Sequence, residues 1–191
     1  MKANLKRIVI AVIMAALIGR YYYYLTSRDT RTAEDDVEVT QLQKVLSKQL
    51  DVAYPPTPRE VVKFYNRIIE CAYGSEYNQD QFGQLMAQAR MLMDEELLQN
   101  NPQEDYKNRF QEEVALYKEH KRTILNTTIC DSDEVTFDEI KGRKCAFVLA
   151  TYFMKDGSDD FLRTYQKYLL RQDDSGNWKI LAYHTTDVEE G

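Results

Sequence analysis

Apolar side chains recur every three or four positions between residue 39 and about residue 120, and every second position after that. The first spacing is typical of amphipathic helices and the second of half-buried strands. The helical pattern predicts a short helix within residues 39–50, a long helix from residue 58, a helix over residues 79–99, and one from residue 103 to about residue 121. We expect the short helix to pack on the domain; the alternative is that its apolar stripe binds a partner.

The long helix has the clearest start in the sequence. Thr57 stands at the N-cap position, Pro58 at the first helical position, and Glu60 three residues after Thr57. These residues form the pattern of a capping box, with proline placed where its missing N–H costs nothing. Gly74 is placed to cap the other end. The apolar face of this helix comprises Val61, Tyr65, Ile68, Ile69 and Ala72.

The alternating pattern predicts four strands, over residues 124–130, 144–155, 161–171 and 178–185, with turns at residues 156–157 and 173–177. Residues 135–140 are a candidate for a short extra strand. In the second strand, even-numbered residues from 146 to 154 share one face and odd-numbered residues from 145 to 153 share the other. Helices followed by a meander predict an α+β fold, with about three helices packed on a curved four-stranded antiparallel sheet. This domain is expected to span residues 54–187, followed by a tail at residues 188–191.

The first 25 residues have the pattern of a transmembrane anchor. Lys2, Lys6 and Arg7 precede an uncharged apolar run over residues 8–19, and four consecutive tyrosines follow Arg20. Arg20 can extend its charge to the interface and the tyrosines match an aromatic belt, so residues 8–24 are long enough to cross a lipid bilayer. The alternative is a cleaved signal peptide, which the absence of a small-residue cleavage site disfavours. Residues 26–53 would form a tether that includes the short helix.

The distribution of charge predicts where the domain lies. Residues 1–31 contain six basic side chains and one acidic, a net charge of +5, whereas residues 32–191 contain 19 basic and 30 acidic, a net charge of −11. The basic cluster at the start favours a cytoplasmic N-terminus, which places the domain outside the cell membrane. The acidic domain would repel phosphate backbones, so nucleic acid is not an expected partner.

Candidate catalytic residues are few. The chain has two histidines, His120 and His184, too few for a multi-histidine metal site, and it lacks glycine-rich phosphate-binding motifs. His120 stands at the predicted end of a helix, where a structural role is expected. No cofactor and no metal ion are expected.

The cysteines and one acidic segment are further candidate sites. Cys71, Cys130 and Cys145 are odd in number and show no CxxC motif, so they do not form a complete disulfide framework. Reduced core thiols are expected, with a Cys130–Cys145 bridge across a hairpin as the alternative. Five acidic side chains could attract a divalent cation, but their spacing does not match a calcium loop, so a solvated turn is expected. They are Asp131, Asp133, Glu134, Asp138 and Glu139.

The order of elements resembles the cystatin-like cone of the nuclear-transport-factor-two-like superfamily. The run from Tyr54 to Tyr65 (YPPTPREVVKFY), the sequence QAR at residues 88–90 and DEELL at residues 94–98 are more closely similar to a family of bacterial single-span proteins of unassigned function. The resemblance covers about residues 40–187 and rests on helix caps and packing residues, so it carries over no catalytic residue. It implies a pocket between the helices and the sheet, and enzymes of this shape often place acids, tyrosines and histidines there. The catalytic candidates that the resemblance implies are His184 with Tyr183 or Tyr65.

Two functions follow from these observations. The first is a non-catalytic, membrane-tethered extracytoplasmic module that binds another envelope protein or a small apolar ligand, with a homodimer as a further arrangement that the resemblance implies. The second is an isomerase-, dehydratase- or cyclase-like enzyme that uses His184 and pocket tyrosines. A pocket filled by its own aromatic side chains would favour the module, whereas a deep apolar pocket with converging polar groups would favour the enzyme.

Overall fold

The computed structural model describes residues 40–157 and 160–186. The helices within them are α1 (Gln41–Leu46), α2 (Pro58–Gly74), α3 (Gln79–Met91), α4 (Glu95–Gln99) and α5 (Gln103–Glu119). The strands are β1 (Thr123–Ile129), β2 (Thr136–Ile140), β3 (Arg143–Asp156), β4 (Asp160–Gln172) and β5 (Trp178–Thr186). The α+β class is confirmed. The predicted anchor, tether residues 26–39 and the tail lie outside the described residues, none of whose helices is long and apolar enough to cross a membrane.

The strands form one antiparallel sheet in the order β1-β3-β4-β5. The short strand β2 pairs with residues 143–147 of β3, on the same edge where β1 pairs with residues 150–155. The described sheet therefore has five strands rather than the four of the basic prediction, and the candidate extra strand is the fifth. The even-numbered residues 146–154 of β3 are all buried, as the alternation predicted, and α2 contacts β1, β3 and β5.

Helix α2 begins where its capping residues predicted. The Thr57 hydroxyl accepts a hydrogen bond from the Glu60 N–H at 3.2 Å, and Pro58 is the first helical residue. The Glu60 carboxylate lies 3.6 Å from Lys63 Nζ, so only the first half of the predicted capping box forms. Gly74 is the last helical residue and extended Ser75 follows it, so the predicted glycine cap is wrong by one position.

The helix predicted over residues 79–99 is interrupted, and this prediction was wrong. Helix α3 ends at Met91, and the N–H of Ile180 in β5 donates to the Leu92 carbonyl at 2.8 Å. The Asp94 N–H donates to the Ile180 carbonyl at 2.8 Å, and the Asp94 side chain then caps α4. Two hydrogen bonds to a strand thus replace helical ones, and this break divides one of the four predicted helices into two, which gives the five described helices.

Asp94 joins this helix break to the sheet through an ion pair. Its carboxylate is buried, accepts the Glu96 N–H at 2.9 Å and is bound by both Nε and Nη2 of Arg171 in β4. Burial alone would raise the pKa of Asp94, but the hydrogen bonds from Arg171 and the Glu96 N–H outweigh it and hold the pKa below its ordinary value. Asp94 is therefore ionised in the folded protein at neutral pH.

Helix α1 packs on the domain, as its apolar stripe led us to expect. Leu42, Val45 and the following Leu50 are buried in the common core. The Gln88 side-chain amide of α3 donates to the Leu46 and Lys48 carbonyls at 3.2 and 3.1 Å. The compact unit that contains the sheet accordingly includes residues from Thr40 onward.

Replacement of Asp94 by asparagine should destabilise the fold. We expect Asp94→Asn to lower the free energy of unfolding by about 2–4 kcal/mol at pH 7, because a buried ion pair loses one partner. Since the pKa of Asp94 is lower in the folded state, its stabilisation is complete above the ordinary carboxyl range and is lost as the pH falls through the folded-state pKa. The difference between the wild type and the variant, measured by urea denaturation, should therefore shrink below about pH 4.

Glu96→Gln is the matched control for this prediction. Glu96 contacts the same Arg171 at 3.2 Å, but its side chain is 62% exposed. Its loss should cost less than about 1 kcal/mol, because solvent screens an exposed pair. Equal losses for the two variants would contradict the importance given to the buried carboxylate.

Candidate functional site

A cavity of about 420 Å³ lies between helices α2 and α5 and the inner face of the sheet. Half of its lining residues in the described part of the chain are aromatic. The aromatic lining residues are Tyr65, Tyr73, Tyr106, Phe110, Tyr117, Tyr152, Tyr165, Tyr168 and Tyr183. Eight of these nine residues are tyrosines, so the walls present both ring faces and hydroxyl groups.

One wall of the cavity is a triangle of tyrosines from α2, β4 and β5. The ring centroids of Tyr65 and Tyr168 are 6.0 Å apart, those of Tyr168 and Tyr183 are 5.6 Å apart, and those of Tyr65 and Tyr183 are 6.1 Å apart. Tyr168 and Tyr183 face each other across neighbouring strands. Burial raises the pKa of both Tyr65 and Tyr168 well above its ordinary value, so both hydroxyls stay protonated at neutral pH.

Two tyrosine hydroxyls lie in a buried hydrogen-bond network at this wall. The Tyr152 and Tyr168 hydroxyls lie 2.7 and 3.2 Å from Asn66 Oδ1, and the Tyr168 hydroxyl also lies 2.8 Å from Gln166 Oε1. The two hydroxyls also contact each other. Asn66 is only 1% exposed, so this helix residue serves as a fixed acceptor inside the core. The network holds both rings in place and keeps their hydroxyls satisfied.

The opposite wall is built from rings of α2 and α5. Tyr73 lies 4.5 Å from Tyr117 and 5.5 Å from Phe110, and Tyr106 lies 6.0 Å from Phe110, all between ring centroids. Burial raises the pKa of Tyr106 and keeps its hydroxyl uncharged, whereas the neighbouring Tyr65 side chain lowers the pKa. The buried Tyr106 hydroxyl nevertheless makes no hydrogen bond of normal geometry among the described residues. A buried hydroxyl at a cavity wall without a well-formed hydrogen bond is the type of group that a ligand can satisfy.

The mouth of the cavity carries one cation and one anion, Arg109 and Glu113, one turn apart on α5. Arg109 Nη2 donates to the Asn101 side-chain oxygen at 2.7 Å, and Nε donates to the Asp105 carbonyl at 3.3 Å. Glu113 lies beside Tyr73, where burial first and the Glu113 carboxylate second raise the pKa of that phenol. The charge of Glu113 is therefore felt inside the cavity.

The structure brings two of the three candidate catalytic residues together and leaves the third outside. Tyr65 and Tyr183 both line the cavity, whereas His184 is exposed and is not among the lining residues. Successive side chains of a strand point to opposite faces, and Tyr183 and Thr185 take the cavity side. His184 lies opposite Lys167 in the sheet register, so it cannot act with the tyrosines of this cavity.

Most of the cavity residues were missed by sequence reasoning. Tyr73, Tyr106, Tyr117, Tyr152 and Tyr168 occupy positions at which the helical or alternating pattern requires only an apolar side chain. The signal in the sequence was the use of tyrosine in preference to phenylalanine, since the chain has 14 tyrosines but only 7 phenylalanines. Repeated tyrosines at core-facing positions indicate that hydroxyls are needed inside.

The remaining sequence candidates lie away from this cavity. Cys130 N donates to the Leu149 carbonyl, which places Cys130 four residues along β3 from Cys145, or about 13 Å. The Cys130–Cys145 bridge is therefore excluded, and all three cysteines are free thiols. His120 ends α5, where its Nδ1 lies 2.8 Å from the Leu116 carbonyl. Among the described residues, no three acidic, histidine or cysteine side chains are close enough to hold a metal ion.

The fold and cavity define an α+β domain with an antiparallel sheet and a tyrosine-lined cavity under its helices. The chain belongs to the family described as a domain of unknown function (DUF6715), whose model matches residues 1–183. No curated protein matches the chain.

Loss of the buried acceptor should destabilise the domain. In Asn66→Leu, the hydroxyls of Tyr152 and Tyr168 lose the acceptor that they share in the core. We expect the free energy of unfolding to fall by about 1–3 kcal/mol, measured by urea denaturation. Asn108→Leu, at an exposed position of α5, is the control and should change it by less than about 0.5 kcal/mol. A stability unchanged by Asn66→Leu would show that the network does not hold the wall.

Proposed function

We propose that this protein is a membrane-anchored, non-catalytic module whose extracytoplasmic domain binds a small molecule in the tyrosine-lined cavity. The observation that carries the proposal is the buried Tyr106 hydroxyl, which makes no hydrogen bond of normal geometry among the described residues although it lies beside Tyr65 at the wall of a cavity of about 420 Å³. A buried polar group without a partner costs about 1–3 kcal/mol. A ligand that bonds this hydroxyl would recover that cost.

The state of the tyrosines favours binding over catalysis. A general base needs a pKa near the working pH, whereas burial raises the pKa of Tyr65, Tyr106 and Tyr168 above that of an ordinary phenol. Such groups donate and accept hydrogen bonds but do not exchange protons near neutral pH. His184, the residue that the enzyme hypothesis requires, is not at the cavity.

The proposal includes the finer description of the domain as a cystatin-like cone of the nuclear-transport-factor-two-like type. Its support is the order of elements, with helices before an antiparallel sheet, and the position of the cavity between the two layers. Register shifts in the β1–β3 and β4–β5 pairs also support it, since bulges increase the local twist of a sheet.

An envelope protein or a second copy of the chain is the alternative partner. Its support is a group of exposed apolar side chains at one end of the sheet: Phe161 is 73% exposed, Leu125 is 54% exposed and Leu162 is 41% exposed. Groups of this kind are enriched where proteins meet. A partner bound there would leave the cavity open.

The anchor is proposed for residues 8–24, which lie outside the described part of the chain. Its support is the basic cluster, the apolar run and the tyrosine belt of the sequence, together with a family match that includes them. The same charge asymmetry supports a cytoplasmic N-terminus and an extracytoplasmic domain.

A pair of neighbouring variants tests the cavity. Thr185→Trp adds a large side chain to the cavity lining, whereas His184→Trp adds the same side chain at an exposed position on the other face. We expect saturation-transfer NMR on the full-length chain to detect binding from a fixed panel of small ring compounds. Binding should persist in His184→Trp and fall at least about tenfold in Thr185→Trp, because the indole occupies the cavity.

Two outcomes would contradict the proposed binding function. If no compound of the panel binds the wild type, the cavity is only a packing defect. If Thr185→Trp binds as well as His184→Trp, the compounds bind elsewhere. Circular dichroism of both variants confirms that each is folded.

Charged substitutions test the anchor. The double variant Ile13→Glu with Leu17→Glu places two carboxylates within the apolar run, at about 2.5–3.5 kcal/mol each for insertion. We expect carbonate extraction to release this variant from the membrane fraction, whereas the wild type remains in it. The control, Thr32→Glu with Val37→Glu, lies in the tether and should stay with the membrane. An intact mass that lacks the first residues would instead identify a cleaved signal peptide.

A further inference from the structure

We propose that the ligand of this cavity is a small organic cation, whose ammonium group lies among the tyrosine rings with Glu113 as its counter-charge. This inference rests on the proposed function, since it names the ligand class of the same cavity. Three observations carry it: rings on both walls, a carboxylate at the mouth that forms no ion pair among the described residues, and the positions of the nearby cations of the chain.

The rings suit a cation because their faces are electron-rich. In the triangle of Tyr65, Tyr168 and Tyr183, the accessible ring is Tyr183, which is 38% exposed, whereas Tyr65 and Tyr168 are buried behind it. On the other wall, the half-buried Tyr73 and Tyr117 have ring centroids 4.5 Å apart. Interplanar angles between 37° and 73° turn these rings towards different directions. Tyrosine rings that enclose a space from several sides are the arrangement that recognises alkylated ammonium groups.

The charges at the mouth favour a positive ligand. Among the described residues, Glu113 forms no ion pair within 4 Å, and its carboxylate acts on the phenols of both Tyr73 and Tyr106. Arg109, the one cationic residue among those that line the cavity, is held by hydrogen bonds to Asn101 and Asp105. Glu113 accepts a hydrogen bond from the Tyr73 side chain but pairs with no cation in the described part of the chain, so its charge complements an ammonium group beside the rings.

Two other cations of the chain already use the same rings. The Arg90 guanidinium lies 5.8 Å from the Tyr106 ring centroid, and that of Arg122 lies 5.2 Å from the Tyr117 ring centroid. Neither arginine is among the residues that line the cavity. The rings therefore attract positive groups, while no arginine or lysine other than Arg109 lines the cavity in the described part of the chain.

A matched pair of probes tests the charge of the ligand. Choline and 3,3-dimethylbutan-1-ol have the same shape, but only choline is charged. We expect isothermal titration calorimetry on the full-length chain to give a dissociation constant for choline at least about tenfold below that of the neutral alcohol. Equal affinities, or tighter binding of the alcohol, would overturn this inference.

Three variants on α5 test which side chains cause the preference for a cationic ligand. Glu113→Gln should weaken choline binding about threefold, because it removes the counter-charge from a partly exposed site. Arg109→Gln should strengthen it about twofold, because it removes a like charge. Glu112→Gln is the control, since Glu112 is exposed, adjacent in sequence and not part of the lining. An unchanged affinity in Glu113→Gln, or an equal effect in Glu112→Gln, would contradict the assigned role.

The outcomes separate this inference from the proposed function. Binding of neutral ring compounds that Thr185→Trp abolishes, together with no binding of choline, leaves the binding module in place and rejects the cation. Choline binding that Thr185→Trp does not weaken places the cation outside the cavity and also rejects this inference. If neither the panel compounds nor choline bind, both the proposed binding function and the cation inference are rejected.

Discussion

The packing of helix α2 on the inner face of β3 is the contact on which the rest of the domain depends. Val61 and Ile68 of the helix and Val148 and Ala150 of the strand have no measurable exposure. At about 25 cal/mol for each Å² of buried apolar surface, contacts of this kind supply most of the stabilisation of a small domain. The cap at Thr57 fixes where the helix starts, and so fixes which turns face the strand. The cavity forms beyond these side chains, where tyrosines replace the aliphatic residues.

Tyrosine side chains bring a requirement for hydrogen bonds to that end of the core, which aliphatic side chains do not have. Each ring adds apolar surface, but each hydroxyl must find a partner or carry a cost of about 1–3 kcal/mol. Tyr152 and Tyr168 meet this requirement through Asn66 and Gln166, whereas Tyr106 makes no hydrogen bond of normal geometry among the described residues. Asn66 Nδ2, in the wall near β3 and β4, is also buried without a partner there. Polar atoms that lack well-formed hydrogen bonds therefore occur on both sides of the cavity, which is why this part of the domain is the candidate site.

The local features of this fold could be predicted from the sequence, and the features that depend on distant residues could not. Thr57 and Pro58 start α2 through side chains within one turn, and the alternation in β3 gives its buried face without knowledge of its neighbours. The break after Met91 escaped prediction because its cause is Ile180 and Arg171, which lie far along the chain. The cavity could not be predicted for the same reason. Periodicity indicates that a tyrosine faces the core, but it does not show which rings lie around the same cavity.

The position of His184 shows how strand alternation controls chemistry. The residue type suggested a catalyst, but the neighbouring Tyr183 and Thr185 occupy the side of β5 that faces the helices, which leaves the imidazole on the other side. The cavity is therefore lined mainly by phenols, which burial keeps protonated. Its mouth carries two charged side chains, Arg109 and Glu113. Selectivity in such a site can come only from shape, hydrogen bonds and the electrostatics of ring faces and Glu113. None of these depends on proton transfer, and the ring faces and Glu113 complement the cationic ligand that we propose.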